Sequence, residues 1–168
     1  MDNLVINEGC SVGAIKLGMR EEEVQQYIQL YKEKCLSPRI SFHRNFRCEY
    51  DSEGRLIYIE VVNDLKRHFN ILFRDIDVFN TRASQLVKMI DILSPYDKNS
   101  ANGGFVYKFP ELGLSFWRGN VLSEEDMEED WFKEMDPEIQ EDEMKNLYFE
   151  TVSIYSISNP PIDNAGNP

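Results

Sequence analysis

The chain is poor in residues that do catalytic chemistry. Its two histidines, His43 and His68, do not stand in the HExxH, HxH or HxxxH spacings that let two imidazoles grip one metal ion. The three cysteines, Cys10, Cys35 and Cys48, are an odd number without CxxC spacing, which argues against a disulfide framework and against a zinc site. A Cys–His nucleophile pair, Cys48 with His68 for example, would have to be assembled by the fold, because nothing local supports it. Gly103 and Gly104 precede a strand instead of opening a helix, and neither GxGxxG nor GxxxxGK[ST] occurs, so nucleotide binding has no support. Asp75 and Asp77 form a D-x-D, but in an alternating strand both share the solvated face while Ile76 and Val78 point inward. Carboxylates are plentiful, yet no spacing singles out a glycosidase pair. We therefore expect no cofactor, no metal and no enzymatic activity.

The other chemistry on offer is charge. Residues 124–143 hold twelve Asp or Glu against one Lys, a local charge of −11, whereas the whole chain carries −12. The remaining 148 residues are thus nearly neutral at −1. Such crowding costs free energy through mutual repulsion that salt screens only beyond about 8 Å. A cationic partner would relieve it. Within the run, Met127, Trp131, Met135 and Ile139 recur every four residues with Phe132 beside Trp131, the spacing of an acidic amphipathic helix. Ser123 with Asp126 resembles a capping box, and Asp136 before Pro137 reads as the cap and first position of a second short helix. The stripe has two readings: buried anchors for a partner, or side chains packed on the protein's own body. A calcium loop is not spelled, since the D-x-[DN]-x-[DN]-G pattern is missing.

The elements that must carry this segment are legible in outline. Residues 12–17 (VGAIKL) predict a strand running into Gly18. Val24, Tyr27, Ile28 and Tyr31 then predict a helix with Glu21, Glu22 and Glu23 in its first turn, Lys32 and Lys34 in its last, and an end at Pro38. FRCEY, a DSEG turn and RLIYIEVV predict a hairpin with Phe46, Cys48 and Tyr50 on one face. Residues 69–79 add a strand or two. Thr81 is read as the cap of a second helix whose Leu86, Val87, Ile90 and Leu93 face the core before Pro95. GGFVYKF, PELG and LSFWR predict a second hairpin, so helix then hairpin occurs twice, without a residue-level repeat. YFETVSIYSI, 148–157, is the final strand.

We expect residues 1–158 to form a single α+β domain: a mainly antiparallel sheet of about seven strands, two principal helices on one face, and an acidic helical insertion at 122–146. Residues 159–168 are expected to be a flexible tail. With 42% hydrophobic and 12% aromatic residues, the chain is too apolar to be disordered. MDNLVINEGC has neither the basic start nor the apolar stretch of a secretion signal, and no run approaches a membrane span. A cytoplasmic protein that binds neither membrane nor nucleic acid is expected.

Residues Ile15 to Val24, IKLGMREEEV, resemble the I-x-[LI]-G-M-[TS]-x-[ED]-E-V opening of small bacterial domains such as the BamE outer-membrane lipoproteins, which implies a strand turning through Gly-Met into a helix. Arg20 stands where that pattern has Thr or Ser. Small size, marked acidity, no signal, and FPELGLSFWR followed by an acidic insertion resemble in type the bacterial immunity proteins that neutralise polymorphic or contact-delivered toxins. That resemblance implies a non-enzymatic inhibitor docking on a basic toxin domain. Its expected contacts are Glu124, Glu125, Asp126, Glu128, Glu129, Asp130, Trp131, Phe132, Glu134 and Trp117. The competing expectations are a scaffold or adaptor using a sheet edge, and a hydrolase whose site the sequence does not display.

Overall fold

The computed structural model describes residues 1–35 and 41–158, and the described chain builds two five-stranded sheets instead of the expected single sheet of about seven strands. The α+β class and the predominance of antiparallel pairing are as the sequence predicts. In order, the elements are β1 (Asp2–Asn7), β2 (Ser11–Val12), β3 (Ile15–Lys16), α1 (Glu21–Glu33), β4 (Phe46–Tyr50), β5 (Leu56–Val62), β6 (Phe69–Phe73) and β7 (Ile76–Asp77). They continue with α2 (Ala83–Asp91), β8 (Val106–Phe109), β9 (Leu114–Trp117), α3 (Asp130–Lys133), α4 (Pro137–Glu143) and β10 (Thr151–Tyr155). The expected end of the first helix at Pro38 and the expected tail at 159–168 lie outside the described residues.

The first sheet has the order β3-β2-β1-β6-β7 and is antiparallel except where β1 lies parallel to β6. β1 is not among the expected strands, although Leu4 and Ile6 alternate inward there. β2 and β3 replace the single strand expected over residues 12–17. They are two residues each, too short for periodicity to register, and Gly13 turns between them in the left-handed region. A side chain on Gly13 would lie 2.4 Å from the Tyr31 hydroxyl, which accepts the Ala14 N–H at 2.7 Å and so ties α1 to this hairpin. Beyond β3, Gly18 takes a positive φ and its N–H donates to the Leu56 carbonyl at 2.7 Å. Glu23 then reaches back to the Arg20 N–H at 2.9 Å, doing from the third position what the missing Thr or Ser would share.

The second sheet has the order β4-β5-β10-β9-β8, all antiparallel. Both predicted hairpins are present, and they flank the final strand on opposite sides. The helix-then-hairpin order is thereby used twice around one central strand. Ile59, Val61, Phe109, Leu114, Phe116, Val152 and Ile154 from this sheet join Leu4, Ile6, Phe69, Ile71 and Phe73 from the first, and both long helices, in one contiguous core.

Two details of the second helix differ from expectation. Its cap position is Arg82, while the Thr81 hydroxyl donates backward to the Asp77 carbonyl at 2.6 Å, because the turn after β7 offers that acceptor first. Leu86, Val87 and Ile90 are buried but Leu93 is not, since the helix ends at Asp91 and the periodicity ends with it. Asp75 falls in the turn between β6 and β7, and Asp77 accepts the Asn80 N–H and amide at 3.1 and 2.9 Å, a turn-forming role.

Tyr31→Phe should leave the Ala14 N–H without its partner and lower unfolding free energy by about 1–2 kcal/mol, measurable by urea denaturation with an unchanged m-value.

Candidate functional site

After β9 the chain leaves the sheet through Arg118 and returns at β10, and everything between is the acidic excursion. Ser123 and Asp126 form the reciprocal cap that their spacing predicts: the Ser123 N–H and hydroxyl each donate to Asp126 Oδ2 at 2.8 Å, and the Asp126 N–H donates to Ser123 Oγ at 3.1 Å. A 3₁₀ turn, Asp126–Glu128, comes next. The helical pair breaks between α3 and α4 near Asp136 as expected, with Pro137 at the start of α4. Gln140 fastens the break by donating its side-chain amide to the carbonyls of Phe132, Lys133 and Met135 at 2.9, 3.3 and 3.2 Å, groups that a helix end otherwise leaves unpaired.

The apolar stripe divides. Phe132, 6% exposed, joins Leu122 and Leu147 in a small satellite core, with Met127, Met135 and Tyr148 half-buried around it. Trp131 is 47% exposed and Ile139 also faces outward. Four-residue spacing therefore did not mean one continuous helix: α3 is a single turn, and the break at Asp136 gives α4 a facing of its own. Phe132, expected among the partner contacts, is an internal anchor. Trp131 stands against its edge, ring centroids 5.7 Å apart at 89°.

Of the other expected contacts, Glu125, Glu128, Glu129, Asp130 and Glu134 are exposed. Glu124 is drawn back to the body, accepting the Ser84 hydroxyl at 2.9 Å and lying 3.5 Å from Arg82. Desolvation opposes its charge, but the Ser84 hydroxyl, its own backbone N–H and Arg82 together outweigh that and hold its pKa down. Asp126 is likewise held low by the Ser123 N–H and hydroxyl. Among the described residues, only Glu124, Glu128 and Asp142 of the twelve acids have a cation within 4 Å, from Arg82, Lys133 and Lys145. The inner side is different: Lys66, Arg67, Arg82 and Lys145 line a cleft of about 580 Å³ under the excursion, with Lys66 over the Tyr148 ring. Glu141 lines that cleft too, while Glu125, Glu129, Asp130, Glu134, Asp136 and Glu138 are exposed without an ion pair among the described residues. Trp117, 43% exposed at the end of β9, has no ring contact with Trp131 among the described residues, so the structure does not join it to the acidic group.

Residues with enzymatic potential assemble elsewhere. On the second sheet, Tyr58 donates to Glu60 at 3.1 Å and shares a 2.8 Å hydrogen bond with Ser153, while Thr151 donates to Glu60 at 3.2 Å. No sequence signal pointed to this group, since Tyr58 and Ser153 are 95 residues apart and only the register of β5 and β10 brings Glu60 opposite Ser153. Burial pushes the Tyr58 pKa up to about 12, with the Ser153 bond opposing and Glu60 reinforcing. Tyr58 is therefore a neutral donor near pH 7, and the carboxylate that faces the Ser153 hydroxyl is Glu60, at a long 3.5 Å. Burial pushes the Cys48 thiol up to about 11, leaving little of the thiolate that a nucleophile needs. Among the described residues no group of three or more His, Cys, Asp or Glu is placed to hold a metal, and no helix is long and apolar enough to cross a membrane.

Sequence reasoning missed Arg118. It is 6% exposed, donates Nε to the Gly104 carbonyl and Nη1 to the Asn146 carbonyl, both at 2.9 Å, and lies over the Phe149 ring. No local signal marks it, because its partners sit 14 and 28 residues away. No family model, curated protein or solved structure matches the chain.

Phe132→Ala should cost the excursion about 3 kcal/mol of local stability, read as faster amide exchange across α3 and α4, whereas Trp131→Ala, which removes the half-exposed edge contact, should cost only about 1 kcal/mol. Because Glu124 and Asp126 have lowered pKa values in the folded state, the stability they supply is fully present above the ordinary carboxylate range and is lost as pH falls through the lowered folded values. Carboxyl NMR titration should place both below that range, and Ser123→Ala should move Asp126 upward.

Proposed function

We propose that this protein is a non-enzymatic inhibitor of the bacterial immunity type, which docks on a basic protein domain through the outward carboxylates of residues 124–143. One observation carries the reading. Nine of the segment's twelve acids have no cation within 4 Å among the described residues, and in the same segment Trp131 rests edge-on against Phe132 with about half of its surface left exposed.

The physical logic is a division of labour. Phe132, Leu122 and Leu147 fold the excursion, so the acids are presented on a formed surface and little ordering entropy is left for the binding step. Glu125, Glu129, Asp130 and Glu134 are exposed in the same stretch of chain as the half-exposed Trp131, the composition of a charged rim about an aromatic anchor. The charges steer encounter and reject acidic surfaces, while the indole supplies buried area once a partner covers it. The likeness in type to immunity proteins supplies the class of partner, a cationic toxin domain. A protein of this kind acts by covering its partner's site, and needs no catalytic group of its own.

Deleting residues 122–146 would also remove the Asn146 carbonyl from Arg118, so charge neutralisation is the cleaner probe. With a basic partner recovered from the native cell's lysate, the association rate should fall from roughly 10⁸ toward 10⁶ M⁻¹s⁻¹ as salt is raised. The quadruple change E125Q/E129Q/D130N/E134Q should abolish most of that salt dependence, and Trp131→Ala should cost about 2 kcal/mol of affinity while the protein stays folded. An association rate indifferent to salt and to the quadruple change would overturn the proposal.

A further inference from the structure

Arg118 is the one buried cation of the described core residues, and no carboxylate lies within 4 Å of it among the described residues. Burial lowers its pKa, and the electrostatic effects of Tyr107 and then Glu124 only partly offset this; a guanidinium nevertheless stays protonated. Two carbonyls and an aromatic face satisfy Nε and Nη1. Nη2 has no acceptor among the described residues, yet it is not sealed off: it is absent from the enclosed, unpartnered side-chain atoms, and the residue lines a cleft of about 610 Å³.

That cleft is built around the free nitrogen. Gly104 forms its floor at φ 86°, and a side chain there would stand 3.4 Å from Arg118 Nη2 and 3.8 Å from the Tyr107 hydroxyl. Only glycine leaves the space open. The Tyr107 ring is fixed edge-on against Tyr96 and Phe149, with centroids 5.1 and 5.9 Å away, and its hydroxyl has no hydrogen-bond partner among the described residues. Lys88, exposed on α2, has no ion pair among the described residues and lines the same cleft. Three donors, one of them buried and without an ion pair among the described residues, thus line one cleft.

We propose that this cleft binds a small monocarboxylate, seated on Arg118 Nη2 and the Tyr107 hydroxyl, with Lys88 at the mouth. Arginine's planar fork suits a carboxylate, and a buried cation without a counter-ion gains more from one than a surface cation does. Glu124 and Glu125 stand on the rim. They repel a second negative charge, so a phosphate dianion is disfavoured where a single carboxylate is accepted. The cleft shares Glu125 with the acids assigned to protein docking, but its ligand contacts, Arg118, Tyr107 and Lys88, do not depend on that assignment.

Titration of the intact ¹⁵N-labelled protein with acetate, glycine and inorganic phosphate tests this. Saturable shifts are expected for acetate and glycine at the Gly103 and Gly104 amides and at Arg118 Nε, with phosphate weaker. Tyr107→Phe removes one hydroxyl while keeping the ring, and should weaken acetate binding about tenfold, the worth of a hydrogen bond to a charged group. Lys88→Ala, on an exposed helix face, should weaken it roughly two- to fivefold. Because neither change removes a packing contact, a native spectrum is expected for both. Non-saturating shifts spread over surface lysines, affinities unchanged in both variants, or phosphate binding tighter than acetate would each overturn the proposal.

Discussion

A guanidinium buried without a carboxylate has to be satisfied by other acceptors, and at Arg118 these come from separate parts of the chain. The Gly104 carbonyl belongs to the loop before β8, the Asn146 carbonyl to the end of the acidic excursion, and the Phe149 ring to the approach to β10. Desolvating such a cation costs several kcal/mol, so each acceptor is held in place by the need to meet it. Arg118 itself is the residue at which the chain leaves β9. The same side chain therefore marks where the excursion begins and fastens where it ends.

The excursion is then free to be strongly charged. A segment of charge −11 repels itself, but Leu122, Phe132 and Leu147 bury a small apolar cluster within it, Gln140 closes the break between α3 and α4, and Lys66, Arg67 and Arg82 of the body share a cleft with its Glu141. Among the described residues, three ion pairs compensate it in part: Arg82–Glu124 to the body, and Lys133–Glu128 and Lys145–Asp142 within the excursion. The outward face keeps its field, which is the property a partner with a basic surface would meet.

Several features were legible in the residues. The two hairpins were, because alternation and the DSEG and PELG turns are signals carried by close neighbours in sequence. The capping box at Ser123 was, since its three-residue spacing is the whole motif. The break before Pro137 was legible too, because proline cannot donate to a continuing helix. The stripe at Met127, Trp131, Met135 and Ile139 misled, because equal spacing maps to one face only while the helix continues, and α3 lasts a single turn. Phe132 is buried and Trp131 exposed for that reason.

The sequence by itself determined the α+β class, the hairpins, the long helices and the concentration of charge, all of which rest on interactions between near neighbours. The tertiary structure alone decided that the strands divide into two sheets, that β1 runs beside β6, that Glu60 meets Ser153, and that Arg118 finds its acceptors. Each of these joins residues from distant parts of the chain. Which distant groups meet is set by sheet register and by burial, quantities that exist only once the whole core has formed.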